Sequence, residues 1–232
     1  NLSDLTRFDS ARSNEFETPS LDLDSEHFIT LDTGVKYRSQ ILDYDFSIYY
    51  TDIDDQIQRV PTGHQNIAGE FEITKKNIGD GYAYGGEFDL KYFMNAQLTL
   101  SANVAYIEGK VDTFPSSEQV IKREYLDRLM PVNGRIGVTY AAVNSRWWLN
   151  TELIAFAKAD KLSTRDSKDT QRIPPGGTPG YAVWNINTSY TFSNALLFTF
   201  NVHNLLDKDY RVHGSGQNEA GINLIGSISY QF

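Results

Sequence analysis

Apolar and polar residues alternate with a period of two in one segment after another along this chain, and that pattern limits the fold more than any other feature of the sequence. In Tyr181–Phe192, Ala182, Trp184, Ile186, Tyr190 and Phe192 share one face, and Asn185, Asn187, Ser189 and Thr191 share the other. Side chains of a strand point to opposite faces in turn, so this is a strand with one apolar side. Leu196, Phe198, Phe200 and Val202 repeat the pattern, as do Ile222, Leu224, Ile228, Tyr230 and Phe232. Earlier segments carry it at Ile29–Tyr37, Leu42–Tyr50, Tyr84–Tyr92 and Leu98–Tyr106. Ile136–Tyr140 and Trp147–Ala157 are noisier, the latter placing Ile154 and Phe156 on the face of Asn150 and Glu152. The count is about nine strands of roughly ten residues, the length that crosses a bilayer when tilted, and no helix is predicted.

The connections alternate strictly in length. Short ones fall near 39–41, 93–96, 143–145 and 193–195, and long ones near 54–80, 108–132, 158–180 and 205–221. Short turns at one end and long loops at the other describe an outer-membrane barrel, whereas compact soluble domains seldom carry so many long loops on one side. The mean hydropathy of −0.43 does not oppose this, because a barrel strand shows lipid only every second residue. No apolar run approaches the about 18 residues of a membrane helix. A soluble β-sandwich or lipocalin-like barrel with its apolar face inward shares the alternation. Against it stand mid-strand charges on the polar face (Glu87, Asp89, Lys91, Glu152) and aromatics at strand ends (Tyr50, Tyr92, Tyr106, Tyr140, Trp147, Trp184, Phe192, Tyr230, Phe232), where membrane girdles sit.

Composition excludes several function classes. With 21 Lys+Arg against 30 Asp+Glu the net charge is −9, and no basic run offers a surface for nucleic acid. The absence of cysteine removes disulfides, thiolate zinc sites and cysteine nucleophiles. The polar opening at Asn1 has no signal-peptide pattern, so the chain is read as mature or as a fragment.

The ending Ser-Ile-Ser-Tyr-Gln-Phe places Tyr230 two residues before Phe232 and resembles the C-terminal assembly signal of bacterial outer-membrane proteins. Val202–Tyr210 (VHNLLDKDY) resembles the N-L-x-D-x-x-Y segment of TonB-dependent outer-membrane receptors. Asn77–Leu90 (NIGDGYAYGGEFDL), Ser47–Ile57 (SIYYTDIDDQI), Pro131–Tyr140 and Gly177–Thr188 are similar to further segments of that family, in the family's order. The resemblance covers nearly the whole chain. It implies an all-β antiparallel transmembrane barrel of which residues 1–232 form the C-terminal part, the last nine strands of a twenty-two-stranded barrel. Residues 1–25 then belong to an extracellular loop. The plug domain and the N-terminal barrel strands are absent from the sequence, and an odd-stranded sheet with two free edges does not stand alone in a bilayer, so the chain is read as incomplete.

The expected function, by this resemblance, is import of a scarce nutrient across the outer membrane, energised through TonB acting on the missing plug, with an iron-siderophore or other metal complex as cargo. The expected partners are outer-membrane lipid, the cargo, the TonB complex and the remainder of the barrel. The alternative is a stand-alone small barrel serving as an adhesin or structural protein. No enzyme is expected, since neither a Gly-x-Ser-x-Gly elbow nor paired histidines at metal spacing occur, and no cofactor is expected. Asp52, Asp54 and Asp55, and Asp160, Asp166 and Asp169, match no calcium-loop spacing and read as solvated loop residues. His64 and His213 lie in long loops without the boxes of haem receptors, so neither is taken as a metal ligand; His213-Gly-Ser-Gly reads as a flexible loop. Candidate cargo-binding residues are His64, Gln65, Arg123, Tyr125, Arg165, Arg172, Tyr210, His213 and Gln217, chosen because these side chains suit anionic or aromatic chelates.

Overall fold

The computed structural model describes residues 5–231 apart from Arg7, Ser13, Ser145 and Asn194; Phe232, half of the expected assembly signal, lies outside the described residues. The strands are β1 (Asp9–Arg12), β2 (Glu15–Glu17), β3 (His27–Arg38), β4 (Leu42–Gln65), β5 (Phe71–Phe93), β6 (Leu98–Thr113), β7 (Lys122–Tyr125), β8 (Asn133–Ala141), β9 (Trp147–Phe156), β10 (Tyr181–Ser193), β11 (Leu196–His203) and β12 (Asn223–Tyr230), and a short helix, α1, spans Thr164–Lys168. Nine of these strands pair antiparallel in the order β3-β4-β5-β6-β8-β9-β10-β11-β12, which are the nine segments read from the alternation.

Register carries the apolar face across the whole sheet. Leu31 pairs with Tyr50, Phe46 with Phe88, Leu90 with Ala102, Ala102 with Ile136, Ile136 with Leu153, Leu153 with Trp184, Tyr190 with Phe198 and Phe198 with Ile228. A one-residue slip anywhere would invert every later face, so the agreement is a strong constraint. These residues stay open: Leu31 is 74% exposed, Ile136 66% and Ile228 74%. So wide an apolar surface is not kept in water and suits hydrocarbon. Among the described residues no helix is long and apolar enough to cross a membrane. The indole N–H groups on this face find partners there too. Trp184 Nε1 donates to Thr151 Oγ1 and Trp147 Nε1 to Thr188 Oγ1 (2.9 Å), and those hydroxyls donate to the carbonyls of Asn185 and Trp148. In lipid an unpaired donor costs several kcal/mol, so threonine is a fitting neighbour for tryptophan here.

The long-loop end is more regular than the sequence suggests. Residues 54–80 are read as loop, yet β4 and β5 stay paired through Pro61–Ile73 to Gln65–Phe71 and turn only at Asn66–Glu70. The Asn66 side chain caps that turn, accepting from the N–H groups of Ala68 (2.9 Å) and Glu70 (3.0 Å). The alternation fades there because neither side of this raised hairpin faces lipid, and polar residues occupy both. β7 likewise lengthens β6 within the predicted 108–132 loop. The helix α1, unpredicted, is a single short piece whose Ser163 N-cap accepts from Asp166 N–H at 3.0 Å.

The free edge of the raised hairpin is covered from the N-terminal side. β2 pairs parallel with Phe71–Ile73, on the β5 edge that β6 uses lower down. Residues 18–26 then run along and across the hairpin as a strap. Lys75 N–H donates to Ser20 Oγ (2.8 Å), Asp24 N–H to Asn77 Oδ1 (2.9 Å), and Ile57 N–H to Glu26 Oε1 (2.8 Å), after which β3 begins on the far side of β4.

Gly85 is required by a close approach. It lies opposite Tyr49, and a Cβ there would come within 2.3 Å of the Tyr106 carbonyl oxygen and 2.4 Å of Tyr49 Oη. Gly85→Val is expected to destabilise the sheet by about 1–3 kcal/mol, read as a lowered temperature at which the unheated gel band of the whole protein disappears. An unchanged transition would refute the packing argument.

Candidate functional site at the long-loop end

Three segments meet above the sheet: the turn after β7, the 157–180 segment with α1, and the 204–222 segment. The first two are joined by charge. Arg128, in a left-handed conformation (φ 60°), donates its N–H to Asp166 Oδ2 at 2.8 Å and sets its Nε 3.4 Å from Asp166 Oδ1. Its guanidinium also bonds Asp169, which Arg172 reaches at 3.0 Å. Asp166 is wholly buried, and the Arg128 and Arg172 guanidinium groups hold the Asp169 carboxyl below its ordinary range. Nearby, Glu124 accepts from Thr164 N–H (2.8 Å) and Oγ1 (2.5 Å), while Asp127 accepts from Ser163 Oγ (2.6 Å) and Arg165 Nη1 (2.8 Å).

The third segment is shaped by Asn204 at its start. Asn204 is 3% exposed and left-handed (φ 53°); its N–H donates to Asn185 Oδ1 (2.9 Å), its Nδ2 to the carbonyls of Lys208 (2.8 Å) and Ala220 (3.1 Å), and its Oδ1 accepts from Lys208 N–H (2.8 Å). Asp207, also left-handed, accepts from Ile222 N–H at 2.9 Å. Both are residues that tolerate this backbone region and bond their own loop, which gives the N-L-x-D-x-x-Y spacing a structural purpose. Its Tyr210 lies 4.5 Å, ring to ring, from Tyr181, itself 5.0 Å from Phe156.

Between the raised hairpin and the charged cluster lies a cleft of about 490 Å³, bordered by Gln58 and Arg59 on one side and by Tyr125, Asp127, Arg165 and Lys168 on the other. Arg59 is anchored by Glu15 (Nη1 to Oε2 2.9 Å) and Glu17 (Nε to Oε2 3.6 Å), both buried on β2. Lys168 Nζ donates to the Pro115 carbonyl at 3.3 Å and is otherwise exposed.

The candidates from sequence are spread around this end. Tyr125 and Arg165 border the cleft. Arg123 faces Asp112 through two bonds of 2.8 and 2.6 Å and holds that carboxyl below its ordinary range; Tyr125 sits under Lys110 Nζ, 4.7 Å from the ring centre. Arg165 and Arg172 face Asp127 and Asp169. His64 and Gln65 stand exposed near the hairpin tip, and Gln217 is exposed on the last loop. His213 Nδ1 lies 2.9 Å from Thr178 Oγ1. Sequence reasoning passed over Arg59, Arg128, Glu124, Asp127 and Lys168, isolated loop charges that no motif marks. Among the described residues, no group of three or more His, Asp or Glu is placed to hold a metal ion.

The sequence profile described as "TonB dependent receptor-like, beta-barrel" matches residues 3–205. The chain belongs to the TonB-dependent receptors. These are outer-membrane proteins and receptors rather than enzymes, so the exposed apolar face of the sheet is the side turned to outer-membrane lipid. Similar solved structures include "Copper transporter OprC" (21% identity, TM-score 0.68, covering 91% of this chain and 31% of that one). The "Ferric-Catecholate import receptor Fiu from K12 E. coli" gives 18%, 0.66, 92% and 29%, and the "FrpB iron transporter from Neisseria meningitidis" 15%, 0.71, 94% and 33%. At these identities the likeness establishes the fold. The receptor chain described here spans about a third of the length of those structures. No curated protein matches it.

Proposed function

We propose that this chain is the C-terminal part of a TonB-dependent receptor barrel and that the whole receptor imports an iron-siderophore or other metal complex, energised by TonB acting on a plug outside this sequence. The observation that carries the reading is the pair of free edges. Among the described residues β3 pairs only with β4 and β12 only with β11, each exposed along its whole length, and bare strand edges are not left unpaired in hydrocarbon. Further strands of the same receptor would close the sheet, and a self-contained small barrel has no use for two such edges. The names of the similar structures, two of iron and one of copper, support a metal complex as cargo.

The cargo, on this reading, enters the cleft beside the raised hairpin and meets Tyr125, Arg165 and Lys168, with His64, Gln65 and Gln217 ringing the approach. Arg123 and Arg172 would contribute by exchanging a carboxylate partner for an anionic group of the cargo. Uptake of radioactive iron supplied as a ferric catecholate, measured in cells with and without the receptor and with and without TonB, tests the function. Uptake that needs both is expected, and copper uptake in its place would change the cargo while keeping the mechanism. Charge reversal at the cleft, Arg165→Glu with Lys168→Glu, is expected to weaken binding at least tenfold with the barrel intact. Unchanged affinity would remove the cleft from the recognition surface.

A further inference from the structure

The His213-Gly-Ser-Gly stretch, a flexible loop by sequence, is laid on the charged cluster. Gly214 and Gly216 both have positive φ (79° and 84°), and their missing Cβ atoms would lie 3.3 Å from Arg128 Cδ and 3.4 Å from Arg172 Cγ. The last loop therefore rests on the two arginines that bond Asp169. Next to Gly214, His213 is half-buried. Its Nδ1 meets Thr178, a residue 3% exposed, and its Nε2 is buried with no hydrogen-bond partner among the described residues.

We propose that His213 is a proton-operated latch: as a neutral imidazole it docks the 205–221 loop onto the 158–180 segment, and protonation undocks that loop and opens the rim. A buried ring nitrogen with no acceptor tolerates a lone pair and not a charged N–H. The charged groups acting on the imidazole are Asp166 from α1 and Arg128 from the turn after β7; Arg172 lies against Gly216, and on its own loop Arg211 is bonded to Asn218. Asp166 favours the charged ring, but it is already engaged by Arg128. Burial, with Arg128 adding to it, prevails and pushes the His213 pKa down from its ordinary value. A group whose docked pKa is depressed loses docking stability as pH falls below its free value, about 6.5 for histidine, by up to about tenfold per pH unit. The latch is closed at neutral pH and opens in acid, whatever cargo the receptor carries.

The test uses the whole receptor in detergent micelles with a nitroxide on Gln217→Cys, this chain having no other cysteine. Between pH 7.5 and 5.0 the mobile fraction of the label should rise several-fold and reversibly. His213→Asn, which keeps polar atoms but does not titrate, should abolish that response whether its loop is docked or released. Thr178→Val should release the loop at both pH values. A label insensitive to pH in the parent, or a His213→Asn receptor that keeps the parent's response, would overturn the proposal.

Discussion

Replacing Asn204 by valine should destabilise the receptor by about 4 kcal/mol or more, the largest effect expected of any single change in the last loop. A β-branched residue held at φ 53° costs about 1–2 kcal/mol, because Cβ crowds the following carbonyl. The loss of the side chain then removes its bonds to Lys208 N–H and to the Lys208 and Ala220 carbonyls, at about 0.5–1.5 kcal/mol for each hydrogen bond lost. Thermal loss of the unheated gel band measures the total. Asn204→Gly separates the two causes, since glycine restores the backbone and not the bonds, and should recover only the smaller share. A valine variant within about 1 kcal/mol of the parent would mean that the loop is held elsewhere.

Asp166→Ala is expected to cost about 3 kcal/mol, concentrated in the loops. The carboxylate is fully buried and takes both the N–H and the guanidinium of Arg128, and removal of one member of a buried pair leaves the other unpaired at about 3–5 kcal/mol. Asp169 still faces Arg128, which places the estimate at the lower end. Amide exchange in residues 126–130 and 163–169 should accelerate by roughly a hundredfold, while the strands below keep their protection. Slowed or unchanged exchange in those loops would show that the two segments do not depend on their charged joint. Asp166→Asn, which keeps the shape and one acceptor, should fall between parent and alanine.

The legible part of this molecule is the part whose environment is uniform. Lipid on one side makes Leu31, Ile136 and Ile228 apolar whatever their neighbours, so period two alone gives nine strands and their faces. Where β9 carries Ile154 and Phe156 inward the signal blurs, because loops cover that side and apolar groups are tolerated there; Phe156 stacks on Tyr181. Above the membrane the signal ends. Ile57 and Arg59 continue β4, but nothing in a run such as Asp54-Asp55-Gln56 distinguishes a raised hairpin from a loop. The Arg128–Asp166 joint was illegible for a different reason: it links residues 38 apart whose spacing follows no period. Asn204 and Asp207 were legible as a family resemblance, and the structure supplies the cause, two left-handed residues that bond their own loop.

The strap imposes an order on how this region can be completed. Glu15–Glu17 and the residues up to Asp24 lie along an edge that exists only once Phe71–Asn77 has folded back against β4. Ions buried there, Glu15 and Glu17 with Arg59 and Lys75, are drawn from both ends of that interval. The earliest stretch of this sequence to be synthesised is therefore among the latest to settle, and its burial reports that the hairpin beneath it is finished.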